Sequence, residues 1–260
     1  MKIKEVMSQR PIFIREDEFL TKARQLMRDH RLRTLPVVDE KNRVKGVITI
    51  QDILKITSTK SNITVNGFTH PTPVITPEMD LETAAKAMIE GEITRVPVVE
   101  SPHNPVLMGM LSIVDIFKAI NLDKIANLQV KDIMTANVKT CSPDEPISKI
   151  WNNMIEFGIS GFPVVRKNKL IGIITRSDIV KSGYVRIGKE DERKKLNFTP
   201  KVEKIMKTPV YTVTPGSTAK EAAELMLKYD IGRIPVVKNS KLIGIVDRYD
   251  IIRAYLSVVK

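Results

Sequence analysis

The sequence predicts an α/β protein built from four copies of one βαββα unit. Three observations carry that prediction. A strand-like segment recurs as RTLPVV (33–38), TRVPVV (94–99), SGFPVV (160–165) and GRIPVV (232–237). Upstream of its proline (Pro36, Pro97, Pro163, Pro235), apolar residues recur at fixed offsets with no gap in any copy. Downstream, a glycine, two apolar residues, an oxygen-bearing residue and an aspartate recur as GVITIQD (46–52), GMLSIVD (109–115), GIITRSD (172–178) and GIVDRYD (244–250). The prolines lie 61, 66 and 72 residues apart, so similar units are joined by linkers of varying length.

Each unit reads in the same order. A short first strand is expected at 11–14, 72–75, 138–141 and 210–213. A cap cluster follows, such as SPDEP (142–146) or TPGST (214–218), and Thr218 with Glu221 has the spacing of a capping box. The first helix carries one buried stripe, with apolar residues three and four apart: Leu20, Ala23 and Met27; Leu81, Ala84 and Met88; Ile147, Ile150 and Met154; Ala219, Ala222 and Met226. The methionines read as core filler, because a flexible thioether fits irregular gaps. The PVV strand is apolar and β-branched. A polar turn leads to the third strand, and a second helix begins at Thr49, Ser112, Thr175 or Asp247. Met7, Phe68, Met134 and Met206 also share one offset, 29 residues before the proline. Residues 60–66 and 121–128 are short linkers, whereas 181–200 is longer, polar and charged.

The net charge of +12 favours an anionic partner: a nucleotide, nucleic acid or an acidic protein face. An aromatic share of 5% argues against a surface that stacks many bases. One cysteine and three scattered histidines predict no disulfide and no metal site. No apolar run approaches the ~20 residues of a membrane span, and MKIKEVMSQR lacks the apolar region of a signal peptide. A soluble cytoplasmic protein with no membrane partner is the expectation. No nucleophile–base pair or phosphate-cradling glycine loop stands out, so no catalytic residues are assigned and the chain is not read as an enzyme.

Two readings fit the seven-residue motif. Ser or Thr followed three residues later by an acid is a capping box, and Asp247 is also a good N-cap. A helix N-terminus also attracts phosphate, a hydroxyl there can donate to it, and an aspartate one turn on can accept from two ribose hydroxyls. On that reading the glycine lets the backbone approach the ligand.

The βαββα unit with xPVV and G-h-h-[ST]-x-x-D resembles the CBS domain, named for cystathionine β-synthase, in four copies over nearly the whole chain. The resemblance is to the gamma regulatory subunit of AMP-activated protein kinase and to stand-alone prokaryotic tandem CBS proteins. It divides the chain into repeats at 1–60, 61–123, 124–184 and 197–260. It implies that repeats 1 with 2 and 3 with 4 pair into two Bateman modules forming a flat disc. It further implies a non-catalytic, energy-sensing regulator that binds AMP, ADP or ATP in clefts between repeats and signals to a regulated protein, with a homodimer as a further partner.

Carried onto this sequence, the resemblance assigns ribose contacts to Asp52, Asp115, Asp178 and Asp250, and phosphate contacts to Thr49, Ser112 and Thr175. Arg95 and Arg233 match a phosphate-reaching arginine, and Arg33 lies one place earlier. Arg176 and Arg248 are candidate helpers; Arg193, Lys194 and Lys195 of the long linker are further candidates. Leu32, Ile93, Ile159 and Ile231 match the apolar wall against adenine, Ser160 a position near purine or sugar, and Thr72 a base contact from the first strand. Asp247 replaces the hydroxyl in repeat 4 and would repel a phosphate, so that site is expected to bind a nucleotide poorly. The alternatives are nucleic-acid binding, for which the basic residues are too dispersed to form one reading surface, and S-adenosylmethionine, whose cationic sulfonium needs neither Arg95 nor Arg233.

Overall fold

The computed structural model describes residues 1–54, 62–183 and 200–259; most of the long linker, including Arg193, Lys194 and Lys195, lies outside them. The chain folds as two units, one of Met1–Ile120 and one of the described residues from Asn121 onward. Each holds two repeats.

Unit 1 begins with a 3-10 turn at Ile3–Glu5 and a short strand β1 (Ser8–Gln9). Repeat 1 then runs through β2 (Ile14–Arg15), α1 (Leu20–Asp29), β3 (Thr34–Val38), β4 (Val44–Thr49) and α2 (Ile50–Leu54). Repeat 2 supplies α3 (Leu81–Glu90), β5 (Arg95–Val99), β6 (Leu107–Ser112) and α4 (Ile113–Ala119). The sheets are ordered β2-β3-β4 and β1-β6-β5. Unit 2 repeats the plan with α5 (Val130–Ile133), α6 (Ile147–Glu156), β7 (Gly161–Arg166), β8 (Lys169–Thr175) and α7 (Arg176–Lys181). It ends with α8 (Ala219–Lys228), β9 (Arg233–Lys238), β10 (Lys241–Asp247) and α9 (Arg248–Val258). In every copy the PVV strand and the strand after it form an antiparallel hairpin with a register shift.

The predicted stripes form the core. All twelve stripe residues are buried, and the four methionines are no more than 1% exposed. The first strands come out shorter than expected. Only β2 forms as a strand, and Ile75, Cys141 and Val213 each make a single parallel bridge, to Val98, Val164 and Val236. Pro11 shortens β2 and Pro73 interrupts the segment in repeat 2, since proline offers no N–H to a ladder.

Within each unit the repeats exchange their leading segments. Ile3 and Lys4 donate backbone hydrogen bonds to Met79 and Pro77 of repeat 2, and Ser8 pairs with Met110 on β6. In return, the segment leading into repeat 2 lies on repeat 1: Val65 N–H donates to Glu18 O, Val65 is fully buried in the repeat 1 core, and His70 pairs with Val47. Unit 2 does the same. Val130 N–H donates to Ser217 O and Thr135 pairs with Ile245 on repeat 4; Val202 N–H donates to Glu145 O and Lys207 pairs with Ile173 on repeat 3. We call these segments arms.

The arms account for the motif glycine. A Cβ on Gly109 would lie 2.8 Å from Met7 Sδ and Ser8 O; on Gly172, 2.6 Å from Met206 Sδ; on Gly244, 2.5 Å from Met134 Sδ. At Gly46, where φ is +151°, it would collide with the His70 carbonyl. On the ligand reading the glycine makes room for a ligand; in the structure that room is taken by the arm of the sister repeat. The shared offset of Met7, Met134 and Met206 is the sequence trace of this contact, while Phe68 at the same offset packs on the repeat 1 core.

Candidate ligand site

The motif aspartates are built into helix starts. Asp115 Oδ2 accepts from the Ser112 N–H (2.8 Å) and the Ser112 hydroxyl (2.6 Å), while the Asp115 N–H donates back to that hydroxyl (3.3 Å). Asp178 repeats this with Thr175 at 2.9, 2.5 and 3.3 Å. Asp52 Oδ2 accepts from the Thr49 N–H at 2.9 Å and its hydroxyl at 2.6 Å. The capping reading of the motif therefore holds. It also redirects the hydroxyls: a carboxylate has no proton to give, so Thr49, Ser112 and Thr175 each spend theirs on the aspartate rather than holding it out for a phosphate.

Capping uses one carboxylate oxygen, and the surroundings of the other differ between copies. Asp52 Oδ1 is 2.9 Å from His70 Nε2. Asp178 Oδ1 is 3.6 Å from Lys207 Nζ, and Asp250 Oδ1 is 3.7 Å from an Arg253 nitrogen. Asp115 Oδ1 has neither hydrogen bond nor salt bridge with a described residue. Burial alone would raise the Asp52 carboxyl; hydrogen bonds from Thr49 and His70 outweigh it and hold the group below its ordinary range.

Repeat 4 departs as its sequence suggests. Asp247 Oδ1 accepts from the Tyr249 and Asp250 N–H groups at 2.9 and 3.2 Å, so a carboxylate occupies the donors that open α9. Burial, then the neighbouring Asp247 charge, pushes Asp250 up to about 6.

The arginines separate the two units. In unit 1, Arg95 begins β5, paired with Ser112, and both Arg33 and Asp115 lie within its electrostatic reach. Burial and then repulsion from Arg33 hold Arg95 below its ordinary value, with Asp115 opposing them. Neither Arg33 nor Arg95 makes a side-chain hydrogen bond or salt bridge with a described residue. In unit 2, Arg233 crosses to repeat 3, where it donates to the Ser160 hydroxyl and, at 3.3 Å, to the Gly161 carbonyl. Gly161 leaves the arginine room, since a Cβ there would lie a tight 3.2 Å from Arg233 Cδ. Arg176 donates to the Met154 and Ile159 carbonyls at 3.0 and 3.4 Å, and Arg248 pairs with Asp230 at 3.2 Å.

Ser160 is thus Arg233's partner in this structure. Leu32, Ile93, Ile159 and Ile231 are half-buried rather than closed in the core, as is Thr72. Sequence reasoning missed His70 and Lys207. They are reached by following the arm offset one or two residues past Phe68 and Met206. Among the described residues, no group of three or more His, Cys, Asp or Glu side chains is placed to hold a metal ion, and no helix is long and apolar enough to cross a membrane.

Comparison with known proteins follows the same fourfold division. The CBS domain family model matches residues 3–58, 65–122, 130–184 and 202–257. The uncharacterized protein MJ1225 of Methanocaldococcus jannaschii is 28% identical over a 262-residue alignment covering 91% of this chain and 92% of that protein. MJ1404 of the same organism is 29% identical over 268 aligned residues, which cover 99% of this chain and 62% of MJ1404. The crystal structure of MJ1225, described as a candidate archaeal homologue of g-AMPK, gives a TM-score of 0.79 at 25% identity, covering 98% of this chain and 100% of that one. A conserved uncharacterized protein of Pyrococcus horikoshii shares the fold, with a TM-score of 0.72 at 23% identity and the same coverage.

Proposed function

The chain belongs to the CBS-domain family, and on that premise we propose that it is a non-catalytic regulator whose unit 1 binds an adenine nucleotide. The carrying observation is the trio Asp115, Arg95 and Arg33. Asp115 keeps one carboxylate oxygen clear of its capping bonds, suited to a ribose diol. Two guanidiniums with no hydrogen-bond or salt-bridge partner among the described residues repel each other beside it, and a phosphate would relieve that repulsion. Ile93 and Thr72 supply the half-buried wall for the base. Binding is regulatory if the ligand favours one arrangement of the two repeats over another, which a partner protein then reads.

Unit 2 supports a second reading. Its crossing arginine is spent on Ser160 and Gly161, and Asp247 stands where a phosphate would otherwise be received. An adenosyl compound without phosphate, such as the cationic S-adenosylmethionine, suits that charge pattern better than AMP.

Calorimetric titration of the full chain with AMP, ADP, ATP and S-adenosylmethionine tests both readings. Binding of AMP, ADP or ATP that Asp115→Ala weakens tenfold or more supports the first; about 1.5–3 kcal/mol is at stake in a hydrogen bond to a charged acceptor. Failure of all four ligands at millimolar concentration would overturn the reading and favour nucleic acid, which salt-dependent retention of a DNA duplex would then reveal.

A further inference from the structure

The exchanged arms place one residue of the sister repeat against the strand that leads into each motif aspartate. By register these residues are His70 opposite Val47, Ser8 opposite Met110, Lys207 opposite Ile173 and Thr135 opposite Ile245. Each follows the arm's Met or Phe by one residue, except that the arm onto repeat 1 is a residue longer and delivers His70. In repeats 1 and 3 the arm residue is basic and its nitrogen lies beside the outer oxygen of the aspartate, at 2.9 Å for His70–Asp52 and 3.6 Å for Lys207–Asp178. The aspartate side chains are only 3% and 8% exposed, whereas His70 and Lys207 are 53% and 67% exposed. The acid is fixed and the base can swing away. In repeats 2 and 4 the arm offers Ser8 and Thr135 instead.

We propose that His70 and Lys207 are latches: affinity-determining residues that occupy the diol-accepting oxygen of Asp52 and Asp178, so that a ribose enters repeats 1 and 3 only by displacing a side chain of the sister repeat. This rests on the reading that the motif aspartate accepts a ribose diol. It adds that the four positions are graded, with repeat 2 unlatched. It also gives binding a route to the neighbouring repeat, since the displaced residue sits on the segment that leads into that repeat.

Adenosine, which carries the diol without the phosphate, is the probe. His70→Leu removes the donor and keeps bulk; adenosine affinity at repeat 1 should rise about tenfold. Lys207→Met removes a longer, more exposed pair, and repeat 3 should gain no more than about fivefold. Ser8→Lys installs a latch where none exists and should weaken the Asp115 position by about fivefold. The chain has three histidines, so proton NMR of the wild-type protein reads displacement without a variant: the His70 ring resonance should move on saturation while those of His30 and His103 stay. A His70 resonance that stays put at saturation, or unchanged adenosine affinity in all three variants, overturns the latch while leaving nucleotide binding intact. A wild-type chain that binds neither adenosine nor AMP overturns both.

Discussion

Units 1 and 2 share one backbone plan, exchanged arms included, yet they dispose of their arginines differently. In unit 1, Arg33 and Arg95 lie within electrostatic reach of each other and make no side-chain hydrogen bond or salt bridge with a described residue. In unit 2 the counterpart Arg233 is threaded over Gly161 onto Ser160, and an aspartate takes the place of the motif hydroxyl. A guanidinium that is hydrogen-bonded inside its own fold contributes structure, while one held partly desolvated beside a like charge contributes an anion site. The motif glycine and aspartate recur in both halves, so they do not by themselves distinguish the halves. On the proposed function, the residues around them make that distinction.

That contrast is open to direct attack. The largest effect is expected from Arg33→Met with Arg95→Met. Together they should lower AMP affinity about a hundredfold or more by calorimetry, since each removes a charge-assisted bond worth about 1.5–3 kcal/mol. Arg233→Met should leave AMP affinity in place and instead lower the melting temperature. Equal losses of AMP affinity from both changes would erase the distinction between the units. Next, Asp115→Ala should weaken AMP about tenfold to a hundredfold, whereas Asp250→Asn should change it by less than about twofold.

The arms sharpen the comparison from the stability side, because they are common to both units. Gly109→Ala and Gly244→Ala drive a methyl into Met7 or Met134 and should each cost about 1–3 kcal/mol in thermal or denaturant unfolding. Gly67→Ala, with nothing within 4 Å of the added carbon, is the control and should melt close to wild type.

A further effect is a pH dependence at Asp250, in unit 2. Asp250 titrates at about 6 in the folded chain against 3.8 ordinarily, so between those values the native state holds a proton that the unfolded chain has released. Its contribution to stability therefore falls as pH rises from about 4 to about 6. Asp250→Asn should gain on wild type across that window and match it below, as read by melting temperature against pH. An unchanged difference across the window would show that burial and the Asp247 charge do not raise Asp250.

Much of the fold was legible in the sequence. The helix stripes sit at offsets that only a helix with one buried face requires, and the PVV hairpins follow from β-branched runs around a polar turn. The capping half of the motif was legible too, because Ser/Thr-x-x-Asp is a local geometry. What stayed hidden was long-range. Met7 and Met134 look like members of the repeat they precede, and nothing local says that they pack on the next one. His70 and Lys207 carry no pattern of their own, and their closeness to Asp52 and Asp178 arises only after the arms cross. The destination of Arg233 was hidden for the same reason: Ser160 lies 73 residues away.

A crystal structure of the chain grown with AMP tests the central claim most directly. The account predicts AMP in repeat 2 of unit 1, its ribose hydroxyls on Asp115 and its phosphate between Arg33 and Arg95. AMP seated only in unit 2, or in unit 1 with its ribose away from Asp115, would contradict it.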